Sequence, residues 1–152
     1  MTIDLRTRDK ADALNRSLIS GLKRIFGLLL FAGGVHYWTR LVGIYDGDLW
    51  RFDLMPFWWK VAAPALAVFY PVAGIGLWTM MSWGPVVWFG VALAEAVMHV
   101  GFPKLFGPDL LWLGLHCFGL AMLVVLRLVD RIEAATRLKR LRSSIPRIKQ
   151  KR

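Results

Sequence analysis

The chain is 152 residues long and 57% hydrophobic, with a formal net charge of +10 and a mean hydropathy of +0.48. Its Lys and Arg residues crowd the two ends, and its apolar residues fall in long blocks between them. That combination excludes an ordinary water-soluble domain and points to a membrane protein with basic, water-facing tails.

The first 24 residues, "MTIDLRTRDKADALNRSLISGLKR", carry six Lys/Arg against three Asp. The stretch is too long and too acidic for a cleavable signal peptide, so the apolar run after it is expected to stay as a span. Within it, "ADALNRSLISGLKR" places Leu14, Leu18 and Leu22 on one face of a short amphipathic helix. Four apolar segments follow, over about residues 25–45, 57–81, 85–102 and 110–128, each long enough to cross a bilayer. Pro64 and Pro71 fall inside the second and predict a kink there. "SWGP" breaks the second from the third, with Ser82 suited to an N-cap and Pro85 to the first turn. "PKLFGPD" breaks the third from the fourth and leaves Asp109 at a helix N-terminus, where the dipole favours it. Small residues at Ala32-Gly33-Gly34, Ala63 with Ala67, and Gly90 with Ala94 predict close helix approach. The single cysteine, Cys117, lies in the fourth run and reads as a small apolar packing residue.

Residues 129–152 form a second basic tail. From Arg127 onward there are ten Lys/Arg against two acids, with Ile132, Leu138, Leu141 and Ile145 between them. The pattern predicts a basic amphipathic helix that stops near Ser143-Ser144, before Pro146, and lays Arg137, Lys139, Arg140 and Arg142 on anionic lipid headgroups. The first connecting loop, "DGDLWRFD", has three Asp and one Arg. Basic residues stay cytoplasmic, so both termini are expected inside and the acidic loop outside, which requires an even number of spans. Tyr45, Trp50, Trp58, Trp59, Trp78, Trp83 and Trp112 mark the segment ends at headgroup level.

The run "RFDLMPFWWKVAAPALAVFYPVAGIGLW" followed by "SWGPVVWF" resembles a family of small alphaproteobacterial membrane proteins, domain of unknown function 6163. The resemblance covers residues 25–120 and is densest over residues 51–89. It implies a four-span inner-membrane protein and carries no activity, so it assigns no functional residue. The opening "RIFGLLLFAGGVHY" is similar, more weakly, to DoxX-like four-span proteins.

Few ionisable residues lie within the spans. Lys60 is close enough to an interface to snorkel. His36 and Glu95 each lie ~18 Å along their spans from the same membrane face, at ~1.5 Å per residue. Arg40 and His99 follow one turn later, and His116 falls in the same half of the fourth segment. An isolated charge in hydrocarbon is expensive, so the expectation is an inward-facing cluster. Arg40 and Glu95 would form its ion pair, with His36, Tyr37, His99 and His116 hydrogen-bonded around them. Three roles fit such a cluster: a polar staple fixing helix packing, a transport or proton-handling site, and a metal or haem ligand set. The staple is the leading expectation, on an all-α four-helix transmembrane bundle. The chain is then a non-enzymatic structural or accessory subunit, with no resident cofactor or metal. Its partners are the lipid bilayer and a membrane protein or a second copy of itself, not nucleic acid.

Overall fold

The computed structural model describes the backbone of residues 2–144 and the side chains of residues 13–132, 134–136, 138 and 139. Among the described residues the chain is all helical: α1 (Thr2–Val42), α2 (Phe57–Trp78), α3 (Gly84–Ala96) continuing through a π turn (Val97–Gly101), α4 (Pro103–Phe106) and α5 (Leu110–Ser144). Four stretches are long and apolar enough to cross a membrane: Ala13–Val42, Phe57–Trp78, Gly84–Gly101 and Leu110–Thr136. With four crossings, both tails leave the bundle at one end. The loop over residues 43–56 and the segment around α4 close the opposite end, called here the loop end.

Several boundaries differ from expectation, each for a local reason. The N-terminal tail and the first span are one helix, because nothing between Leu22 and Phe26 breaks it. It ends at Val42, where Gly43 turns with φ +74°, so Tyr45 belongs to the loop. The second helix stops at Trp78: Met80 takes φ +60° and Met81 N–H donates back to Gly76 O at 2.9 Å, a tight reversal. Ser82 is not the cap of α3. Trp83 occupies that position without a side-chain bond, and Pro85 sits in the first turn as expected. Helix α2 runs unbroken through Pro64 and Pro71. Asp109 precedes α5, and Trp112 N–H donates to its Oδ1 at 3.5 Å.

The bundle centre is built where small residues let backbones meet. Gly27 and Gly74 face each other across α1 and α2; a Cβ on Gly27 would lie 2.9 Å from Gly74 O. Ala63, Ala67 and Ala73 are buried on the same face of α2. Gly90 does not serve this purpose: nothing lies within 4 Å of where its Cβ would be, and Gly90 and Ala94 line an open, outward-facing apolar groove. Cys117 likewise points outward rather than into the core. Phe26, Leu30, Leu77, Trp88, Val91 and Leu123 form a dense apolar layer on the side of the polar centre nearer the termini. Phe26 and Trp88 stack with ring centroids 4.8 Å apart, and Gly119 of α5 is pressed against both.

Helix α5 carries the C-terminal basic segment without interruption to Ser144, the last described residue. Lys139 is exposed on it. The side chains of Arg137, Arg140 and Arg142, and the predicted stop before Pro146, lie outside the described residues.

Candidate functional site

Glu95 is the centre of the polar core, 2% exposed on the inner face of α3. The expected Arg40–Glu95 ion pair does not form. Glu95 is instead held by two phenols and an imidazole. Tyr37 of α1 donates to its Oε1 at 3.2 Å, and Tyr70 of α2 donates to the same oxygen at 2.5 Å. His116 of α5 places Nε2 3.1 Å from Oε2 and 3.0 Å from the Tyr70 hydroxyl.

The hydrogen positions in this network follow from one residue. An indole N–H can only donate. Trp88 Nε1 lies 3.0 Å from His116 Nδ1, so Nδ1 is the acceptor and the ring proton is on Nε2. That proton faces the Tyr70 hydroxyl, 3.0 Å away, with Oε2 of Glu95 close beside it at 3.1 Å from the same nitrogen. A one-way chain results: Trp88 donates to His116, His116 to Tyr70, and Tyr70 to Glu95. Glu95 closes it purely as acceptor, with Oε2 buried beside His116. Doubly protonated His116 would turn a second N–H against the Trp88 N–H. Both its nitrogens are spent, so it serves as a metal or haem ligand only by giving one up.

Arg40 lies one turn beyond Tyr37, toward the loop end. Its guanidinium carbon sits 4.9 Å from the Trp50 ring centre, 5.2 Å from Trp59 and 5.8 Å from Tyr37. Aromatic faces stabilise the cation in place of a carboxylate. Its Nε is buried without a hydrogen-bond partner, and among the described residues it makes no ion pair. Tyr37 thus touches both charges, with its hydroxyl on Glu95 and its ring face on Arg40.

The other expected members are placed around this pair rather than bonded to it. His99 is buried on the π turn, whose Phe102 N–H reaches Val97 O at 3.1 Å, five residues back. The extra residue per turn brings His99 Nδ1 to 2.7 Å from Gly107 O, where it donates to the carbonyl and ties α3 to the loop before α5. Such a turn often marks a functional position. His36 is half-buried, edge-on to Trp50 at 5.3 Å, outside the Glu95 network. Between these groups lies a cavity of about 150 Å³ at the loop end, lined by His36, Tyr37, Arg40, Tyr70, Glu95 and His99, with Leu49 and Asp109 also on its wall.

The structure therefore brings Tyr37, Glu95 and His116 into one bonded network and sets Arg40, His36 and His99 around the adjoining cavity. Sequence reasoning missed Tyr70 and Trp88. Tyr70 lies mid-span, where a phenol hydroxyl needs a polar partner; it was the available signal. Trp88 carried none, since a tryptophan near a span end reads as an interface anchor.

Fold and site together define a small multi-span helical membrane protein with a polar cavity at one end of its bundle. The chain belongs to the family of unknown function DUF6163, whose family model matches residues 17–134 and so reaches past residues 25–120 at both ends. No curated protein and no solved structure matches it.

Proposed function

We propose that this chain is a non-enzymatic accessory protein of the bacterial inner membrane, with both termini cytoplasmic, and that its polar core is a binding pocket reached from the opposite side. The observation that carries this reading is the closure of the pocket toward the termini. The hydrogen-bond chain ends at Trp88, which has no acceptor with which to pass a proton on. Beyond it stand Phe26, Leu30, Leu77 and Leu123, a layer with no polar side chain.

This weighs against the transport reading, which needs polar groups or water continuing through the bundle. The staple reading accounts for Tyr37, Tyr70, His116 and Glu95, but not for the cavity beside them, nor for Arg40 on its wall, which has no carboxylate partner among the described residues. Metal or haem binding is weakened by the engagement of both His116 nitrogens and of His99 Nδ1. The basic segments at the termini, Lys139 among them, would rest on anionic lipid or meet a partner subunit at the other face.

Sided chemistry tests the reading. In a Cys117→Ser background reconstituted in vesicles, His36→Cys should react with a small membrane-impermeant thiosulfonate from one face only. Leu30→Cys, within the apolar layer, should react from neither. Reaction of Leu30→Cys with the impermeant reagent would overturn the proposal, and so would proton flux across protein-containing vesicles that Glu95→Gln abolishes.

A further inference from the structure

At the end of the bundle nearer the termini, α1 and α5 bring two cations together. Lys23 of α1 is 8% exposed. It lies three residues before Phe26, which packs on Gly119 of α5. It lies eight after Asn15, whose amide donates to Leu126 O and Asp130 Oδ1 at 3.4 Å. Residues at such spacings share a helix side, so Lys23 sits in the α1–α5 seam with a contact above and a contact below. Arg127 of α5 is close enough for the two charges to repel each other. Among the described residues neither cation makes an ion pair, and Asp130, one turn beyond Arg127, is bonded to Asn15 instead. The Lys23 ammonium, unlike Arg40 Nε, is not sealed in, and Arg127 is exposed, so both are open to a ligand. Two like charges held side by side are stabilised by an anion between them.

Depth identifies the anion. Lys23 lies 19 residues before Val42, the end of α1, which is about 29 Å at 1.5 Å per residue. Arg127 lies 17 residues after Leu110, the start of α5, or about 26 Å by the same rise. The hydrocarbon core is about 30 Å thick, so both charges reach its boundary, where lipid phosphates lie. Ile25 and Val124 are exposed close by in the chain and offer acyl chains an apolar wall that a free phosphate has no use for. We propose that Lys23 and Arg127 form a discrete site for the phosphate of an anionic phospholipid in the leaflet at the termini, independent of the pocket at the loop end. Phosphatidylglycerol gains from both cations. Phosphatidylethanolamine brings an ammonium that both repel.

Native mass spectrometry of the full chain, delipidated in an uncharged detergent and titrated with each lipid in about 0.15 M ammonium acetate, tests this. The first phosphatidylglycerol should bind about fivefold or more tighter than phosphatidylethanolamine. Lys23→Gln and Arg127→Gln should each weaken it about fivefold, the contribution of one basic residue at a lipid surface. Lys139→Gln should leave it unchanged. That exposed charge lies 12 residues further along α5, about 18 Å away and more than two screening lengths of about 8 Å. Inorganic phosphate in large excess should not displace the lipid. Arg127 is exposed, so Arg127→Gln carries the test if Lys23→Gln fails to fold. The inference is overturned if folded protein binds the two lipids equally, if Arg127→Gln has no effect, or if Lys139→Gln weakens binding as much. Displacement by inorganic phosphate would leave an ion site and remove the lipid.

Discussion

Replacing Tyr70 with Phe isolates the hydrogen-bond chain from the packing around it. The ring stays, so the close contact between Tyr70 and Gly33 is kept, and only one oxygen is lost. That oxygen donates to Glu95 and lies 3.0 Å from His116 Nε2, whose proton it accepts, so a single change breaks two links. In soluble proteins a bond to an ionised group contributes about 1.5–3 kcal/mol and a neutral one about 0.5–1.5 kcal/mol. Inside membranes such bonds average only about 0.6 kcal/mol, since the dissociated helices also find partners. Two links on the membrane scale set a floor near 1 kcal/mol, and the soluble scale a ceiling of about 4.5 kcal/mol. Full burial of Glu95 and His116 leaves no solvent to replace the lost oxygen, so the expected cost is about 2 kcal/mol, roughly 30-fold in the folding equilibrium. Tyr37→Phe removes one link and should cost about half as much. Reversible unfolding in mixed micelles, followed by tryptophan fluorescence, measures both. If Tyr70→Phe costs no more than Tyr37→Phe, the directional chain is wrong.

The same assay checks the helix contacts. Gly34→Ala should destabilise by about 1–3 kcal/mol, because its Cβ would lie 2.5 Å from the rigid Pro71 ring. Gly114→Ala, with nothing within 4 Å, should not destabilise, and helix propensity favours it slightly. Cys117 should react in vesicles with a bilayer-soluble maleimide and resist a membrane-impermeant thiosulfonate, because it is exposed on a span. In the loop, Arg51 bonds Asp53 at 2.9 Å and holds its carboxyl below the usual carboxylate range. The small stabilisation this gives should be present above the ordinary aspartate range and lost as pH falls through the lowered one. A carboxyl NMR titration compared with Arg51→Gln reads it directly.

The spans were legible because length, apolar runs and charge placement each report a bilayer, and all three agree on four crossings. Matched depth grouped His36, Arg40, Glu95, His99 and His116 in one half of the bundle, and the structure sets them in or around the Glu95 network and its adjoining cavity. Depth could not pair them. Rise along a helix fixes height, whereas pairing depends on rotation about each axis, and opposite charge was a poor guide to that. Arg40 found stabilisation from ring faces, and Glu95 from hydroxyls that carry no charge to notice. The π turn was also invisible, since no residue in "VMHVG" demands it. Segment ends shifted wherever backbone geometry ruled, as at Met80, because hydropathy does not register a left-handed residue.

Helix α5 meets the rest of the bundle along a narrow seam within its span: His116, Gly119 and Leu123 are its buried positions there, and its other faces turn outward. That has a consequence for assembly. A membrane holding only α1, α2 and α3 would already contain Glu95, Tyr70 and the Trp88 N–H, with the imidazole that links them absent. The arrival of His116 completes the set in one step, while a Leu-rich helix lacking it would find little to grip. The last helix to emerge from the ribosome thus brings the piece on which the first three wait, and an unfinished molecule is distinguishable from a finished one by polarity left bare in lipid.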